Sequence, residues 1–127
     1  MGSKVLFVDD DATTQTMVRT SLEKSGFNVM VAHNGKDALM KIKFRQPDII
    51  VTDVLMPDVD GIDLLNTIRE NPATRKIPVI IITSSTKMEE GFRRVGVAEF
   101  IAKPFKMEDL VAKINMHIPA AAPDAEK

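Results

Sequence analysis

Short apolar runs alternate with segments of helical periodicity five times along the 127 residues, an order that predicts a βαβ-wound parallel sheet and not a sandwich or a bundle. Lys4 to Val8, Phe27 to Ala32, Ile49 to Thr52, Val79 to Ile82 and Glu99 to Ala102 are the predicted strands. Val18 and Leu22 share the inner face of a first helix. It should start near Asp11, whose carboxylate suits the orphan amides of a first turn, and stop near Gly26, which tolerates a left-handed cap. Asn34 is expected to cap a second helix with Ala38, Leu39 and Ile42 inward, and Leu64, Leu65 and Ile68 repeat that spacing in a third. Asn71-Pro72 ends the third helix, because the residue before proline avoids the α region. Val54 to Asp60 holds a proline and no helical period, so it reads as an ordered loop. A short fourth helix from about Lys87 to Val95, capped at Gly96, is expected before the last strand. A fifth, with Leu110, Val111, Ile114 and Ile118 inward, should be stopped by Pro119.

Length adds that one domain, residues 1–118, accounts for the pattern, with 119–127 as a flexible tail or linker stump. Seventeen basic and eighteen acidic residues give a formal charge of -1, which removes the electrostatic footprint of a duplex or membrane-surface binder. Lys41, Lys43 and Arg45 read as a solvated helix face. The absence of cysteine excludes a disulfide framework and a thiol nucleophile and fits a cytoplasmic setting. No run has the form of a signal peptide or the length of a membrane span. Met1-Gly2 suggests myristoylation, but Leu6 stands where that motif wants Ser or Thr.

Candidate chemistry collects at the strand ends. The first strand runs into Asp9, Asp10 and Asp11, the third into Asp53, the fourth into Thr83 and the fifth into Lys103. Ligands of open α/β sheets sit outside the carboxyl ends of the strands, so all four chemistries are expected at one rim. Right-handed crossovers leave few topologies, and the strand order 2-1-3-4-5 sets strands one and three together, with Asp9, Asp10 and Asp53 meeting there. Two carboxylates ~5 Å apart repel by roughly 3 kcal/mol at an effective dielectric of ~20, so the cluster calls for a cation. Hard, anionic oxygen ligands favour Mg²⁺ over Zn²⁺, and Mg²⁺ leaves room for a substrate phosphate. Lys103 would pair with phosphoryl oxygens, the Thr83 hydroxyl would add a hydrogen bond, and Asp53 is central enough to be the nucleophile. Each of these residues alone has a plainer reading, as a cap, a strand end or a surface charge; their weight lies in convergence. Met17, Met40, Met56 and Met88 read as core or gap-filling side chains. His33 and His117 lack a partner at metal-ligand spacing, and His117 can complement the last turn of its helix.

Over residues 4–118 the chain closely resembles the receiver domain of bacterial two-component response regulators. The likeness is carried by Val8-Asp9-Asp10, by Asp53-Val54-Leu55-Met56-Pro57 continuing to Gly61, by Thr83-Ser84 and by Lys103-Pro104-Phe105. It implies a flavodoxin-like α/β fold with helices on both faces of the sheet. It implies further that Asp53 accepts a phosphoryl group from a histidine kinase or phosphotransfer protein. Asp10, Asp53 and the backbone carbonyl of Leu55 would hold Mg²⁺, with Asp9 acting mainly through water, while Thr83, Ser84 and Lys103 bind the phosphoryl oxygens. Thr83 and Phe100 would form a switch that alters the surface of the fourth helix, fifth strand and fifth helix, where a downstream protein binds. The resemblance also implies a common cis bond before Pro104. The chain departs from the family pattern in several places. The stretch from Thr83 to Lys103 is shorter, Phe100 replaces a tyrosine found in some members, and Leu55 and Ser85 occupy positions that tune hydrolysis. Leu55 cannot orient an attacking water, so a long-lived phosphoryl group is expected.

Three rival readings fare worse. A haloacid-dehalogenase-like phosphatase would want an acid two residues after Asp53, where Leu55 stands. Flavin binding would want a glycine cradle, and Thr13, Thr14 and Thr16 lie beside three acids without one. A scaffold that is never phosphorylated would have no use for the full acidic set with Thr83 and Lys103. The expectation is a stand-alone signalling domain, not an enzyme acting on a small substrate, without direct nucleic-acid binding or membrane insertion.

Overall fold

Alternate residues of the central strands enter two apolar layers, and that alternation organises the molecule. The computed structural model describes residues 3–53, 61–83, 97–102 and 105–118, with the backbone alone for residues 61, 62 and 83. In chain order the elements are β1 (Lys4–Val8), α1 (Ala12–Lys24), β2 (Asn28–Ala32), α2 (Gly35–Phe44), β3 (Ile49–Asp53), α3 (Gly61–Glu70), β4 (Val79–Thr83), β5 (Glu99–Ala102) and α4 (Met107–His117). The helix expected at Lys87 to Val95, the loop from Val54 to Asp60 and the 119–127 tail lie outside the described residues, so α4 is the helix expected as the fifth. All strand pairs are parallel and the order is β2-β1-β3-β4-β5, as expected.

Leu6, Val8, Ile50, Val79 and Ile81 meet Ala38, Ile42, Leu64 and Ile68 on one face of the sheet. On the other, Val5, Phe7, Ile49, Val51, Ile80 and Ile82 meet Val18, Leu22, Leu110 and Ile114. Helices α2 and α3 thus cover one face and α1 and α4 the other. Asp11 caps α1 through a 2.8 Å bond from the Thr14 N–H, and Asn34 caps α2 through a 2.8 Å bond from the Asp37 N–H. Gly26 has φ +97°, the left-handed conformation expected after α1.

Several boundaries and burial readings differ from expectation. Strand β2 begins at Asn28, because the Phe27 N–H turns back to the Leu22 carbonyl at 3.1 Å and closes the end of α1. Strands β3 and β4 run one residue past their apolar runs and take Asp53 and Thr83 into the ladder. Met17 and Met40 are not core residues. They are 52% and 66% exposed, since α1 and α2 turn them away from the sheet.

Candidate functional site

The register of the two central strands determines which acidic groups meet. Val8 pairs with Thr52 across β1 and β3, so Asp9 and Asp53, the next residues of the two chains, leave the paired strands at the same rim. Both lie on the parity of Val5, Phe7, Ile49 and Val51, so both side chains leave the sheet toward the layer under α1 and α4. Asp9 is 4% exposed and Asp53 8% exposed, among the few buried polar residues of the described part. A buried carboxylate demands compensation by hydrogen bonds or charge. Oδ1 of Asp9 accepts the Asp11 N–H at 2.8 Å, and the Asp9 N–H donates to the Ala32 carbonyl at 3.0 Å, extending the pairing of β1 with β2. The Thr52 hydroxyl donates to the Asp53 carbonyl at 3.0 Å.

The other expected residues divide. Asp10 faces solvent. Among the described residues no three His, Asp or Glu side chains are grouped closely enough to hold an ion together. Thr83 ends β4 opposite Ala102, one step along the sheet from the pairing of Asp53 with Ile82, and this brings its backbone to the same rim. Phe100 is half-buried in β5 and packs against the layer under α2 and α3. Leu55, Ser84, Ser85, Lys103 and Pro104 lie outside the described residues.

One contributor was missed in the sequence. Gln15 is buried at 6% exposure, and its Nε2 donates to the Asp9 carbonyl and, at 3.3 Å, to the Ala32 carbonyl. The same nitrogen lies 3.3 Å from Nδ1 of His33, and the backbone N–H of His33 donates to the Asp37 carboxylate at 3.0 Å. Gln15 therefore ties together the ends of β1 and β2 just behind the acidic pair. Its signal was present: Gln15, Val18 and Leu22 form an i, i+3, i+7 stripe, the inward face of α1.

Residues 5–115 match the family described as response regulator receiver domain. The chain belongs to that family. The receiver domain is 36% identical to PilG of Pseudomonas aeruginosa over 124 residues, which are 96% of this chain and 92% of that protein. It is 29% identical to the phosphate regulon transcriptional regulatory protein PhoB of Rhizobium meliloti, but spans only 56% of that longer protein. Among solved structures it superposes on the chemotaxis response regulator CheY4 of Vibrio cholerae with a TM-score of 0.86 at 29% identity, covering 93% of this chain and 100% of that one. It also superposes on the receiver domain of a sensor histidine kinase from Pseudomonas aeruginosa PAO1, at a TM-score of 0.84 and 26% identity, covering 92% of this chain and 98% of that one. That structure carries a magnesium ion coordinated in the active site cleft. No described helix of the present receiver domain is long and apolar enough to cross a membrane.

Proposed function

We propose that this receiver domain accepts a phosphoryl group from a histidine kinase or phosphotransfer protein onto Asp53, in an Mg²⁺-dependent reaction. The observation that carries the proposal is a buried carboxylate, Asp53, ending a central strand at the same rim as a second buried carboxylate, Asp9. An Asp53 carboxylate oxygen attacks phosphorus, the bond from phosphorus to the donor imidazole nitrogen breaks, and that nitrogen keeps the electron pair. The donor set suits Mg²⁺, because Asp9 and Asp53 offer only hard, anionic oxygens at this rim. Asp10, Asp53 and the Leu55 carbonyl would hold the ion, with Asp9, already engaged by the Asp11 N–H, acting through water. Once bound, Mg²⁺ would offset the charge of the carboxylates and of the phosphoryl oxygens. Thr83, Ser84 and Lys103 would bind the phosphoryl oxygens that the ion does not reach.

The output is a population shift. The phosphoryl group favours an active form only through contacts it makes there and nowhere else, and a swing from 1:99 to 99:1 needs about 5.5 kcal/mol of such preference. Thr83 and Phe100 are the proposed moving parts, and the surface formed by the region before β5, by β5 itself and by α4 is the proposed contact for a downstream protein. We place the domain, residues 1–118, in the cytoplasm, with 119–127 as a tail or linker.

Incubating the full chain with Mg²⁺ and a small phosphoramidate should add the mass of one phosphoryl group, mapped to Asp53. Chelation of Mg²⁺ and the Asp53→Asn substitution should each abolish the gain. An adduct elsewhere, or none, overturns the proposal, and sustained phosphate release from unrelated monoesters would favour an enzyme instead.

A further inference from the structure

Two of the exposed positions of α2 are large and apolar. Phe44 is 89% exposed and Met40 66% exposed. At about 100° of rotation per residue Met40 points directly away from Ala38 and Ile42, which α2 buries, and Phe44 lies about 40° to one side. Lys36 and Lys43 flank Met40 on the side of Leu39. Lys36, Lys43 and Arg45 are exposed around the pair, and none has an ion-pair partner among the described residues. Lys41 is occupied, its Nζ donating to the Val31 carbonyl at 2.6 Å and lying 3.4 Å from Asp37.

Beside this ridge runs a groove of about 190 Å³ between α2 and α3, floored by Leu39, Ile42 and Ile68, with Lys43 at its lip. The Gln46 side chain donates to the Ala73 carbonyl at 3.1 Å and holds the end of α2 against a turn that carries exposed Arg75 and Lys76. Nearby in the chain, Glu70 is exposed and the Asp48 carboxylate takes the Lys4 N–H at 2.8 Å.

We infer that the outer face of α2 and the α2–α3 groove dock an acidic amphipathic helix of a partner protein. Its apolar stripe would cover Met40 and Phe44 and enter the groove, and its carboxylates would meet Lys36, Lys43 and Arg45. Flexible methionine suits such a surface. A second copy fits poorly, because a two-fold contact sets the same cationic rim against itself. The groove lies at the carboxyl ends of α2 and α3, at the opposite end of the sheet from Asp9 and Asp53, so docking does not depend on the phosphoryl reading.

The probe is a synthetic helical peptide with leucines at i, i+3, i+4 and i+7 flanked by glutamates, titrated into the ¹⁵N-labelled full chain. Saturable one-to-one binding is expected, with resonance shifts centred on Met40, Phe44 and Thr67. Met40→Ala with Phe44→Ala should weaken it about tenfold or more. Lys36→Glu with Lys43→Glu should weaken it several-fold and flatten its salt dependence. All four side chains are exposed, so these variants should keep the wild-type spectrum and any phosphoramidate labelling. Absence of saturable binding, equal binding of a peptide with lysine in place of glutamate, or shifts centred elsewhere would overturn the inference. So would tighter binding of an oligodeoxynucleotide, or self-association that Met40→Ala with Phe44→Ala removes.

Discussion

Gln15 shows how a single uncharged side chain supports an acidic site. Strand pairing runs out after Val8 and Ala32, and there the Gln15 amide spans the carbonyls of Asp9 and Ala32. The Ala32 carbonyl also accepts the Asp9 N–H. Gln15→Leu would preserve the volume and the apolar stripe of α1 while removing the donor. We predict a loss of about 1–2 kcal/mol in urea unfolding, the range for a buried polar group deprived of a partner. We also predict slower labelling of Asp53 by a phosphoramidate. An unchanged midpoint and rate would mean that Gln15 only fills space.

Helix ends provide the element-scale control of this fold. Asp11 and Asn34 satisfy first-turn amides, and each is a residue type whose short side chain competes with the backbone in just this way. Gly26 closes α1, with the N–H groups of Ser25, Gly26 and Phe27 all returning to the carbonyls of the last turn. A Cβ at Gly26 would meet no atom within 4 Å, so the cost of Gly26→Ala lies in the backbone alone. We predict about 1–2 kcal/mol of destabilisation from holding a Cβ at positive φ. Gly26→Asn should lose less, because asparagine tolerates that region better. Equal losses for the two variants in denaturant titration would place the cause outside the backbone.

On the scale of the whole molecule, the sheet is an apolar slab covered on both faces, and its edge strand β5 is tied to the last helix by charge. Oε2 of Glu99 lies 3.6 Å from Nζ of Lys113 and 3.6 Å from Nε2 of His117, both on α4. Burial works to raise the Glu99 pKa, but the Lys113 charge, the Phe100 N–H and His117 together outweigh it and hold the carboxyl below its ordinary value. A carboxylate depressed in the folded state stabilises the protein at pH above its ordinary pKa, and this contribution fades as pH falls through the folded value. The difference in unfolding free energy between wild type and Glu99→Gln should therefore favour wild type near neutrality and shrink steadily through the acid range. A difference independent of pH would remove the ionic tie. Because the cluster is partly solvated, its effect should also weaken with added salt.

Much of this molecule is written in local pattern. Alternation within Lys4–Val8 and Ile49–Asp53 assigns each side chain to a face, and a carboxylate just past or at the end of a buried strand falls at the rim whatever surrounds it. Asp11, Asn34 and Gly26 act on their own helix ends, so their roles needed no distant partner to be legible. Tertiary structure decided what stands opposite. It brought Asp9 and Asp53 to one rim and left Asp10 in solvent, and it buried Gln15 under two strand ends. It turned His117 from a helix-end charge into a neighbour of Glu99, and it left Met40 and Phe44 uncovered. The physical reason is common to all of these. Periodicity gives a side chain's direction relative to its own backbone, while burial and charge pairing depend on which other segment, many residues away, arrives in that direction.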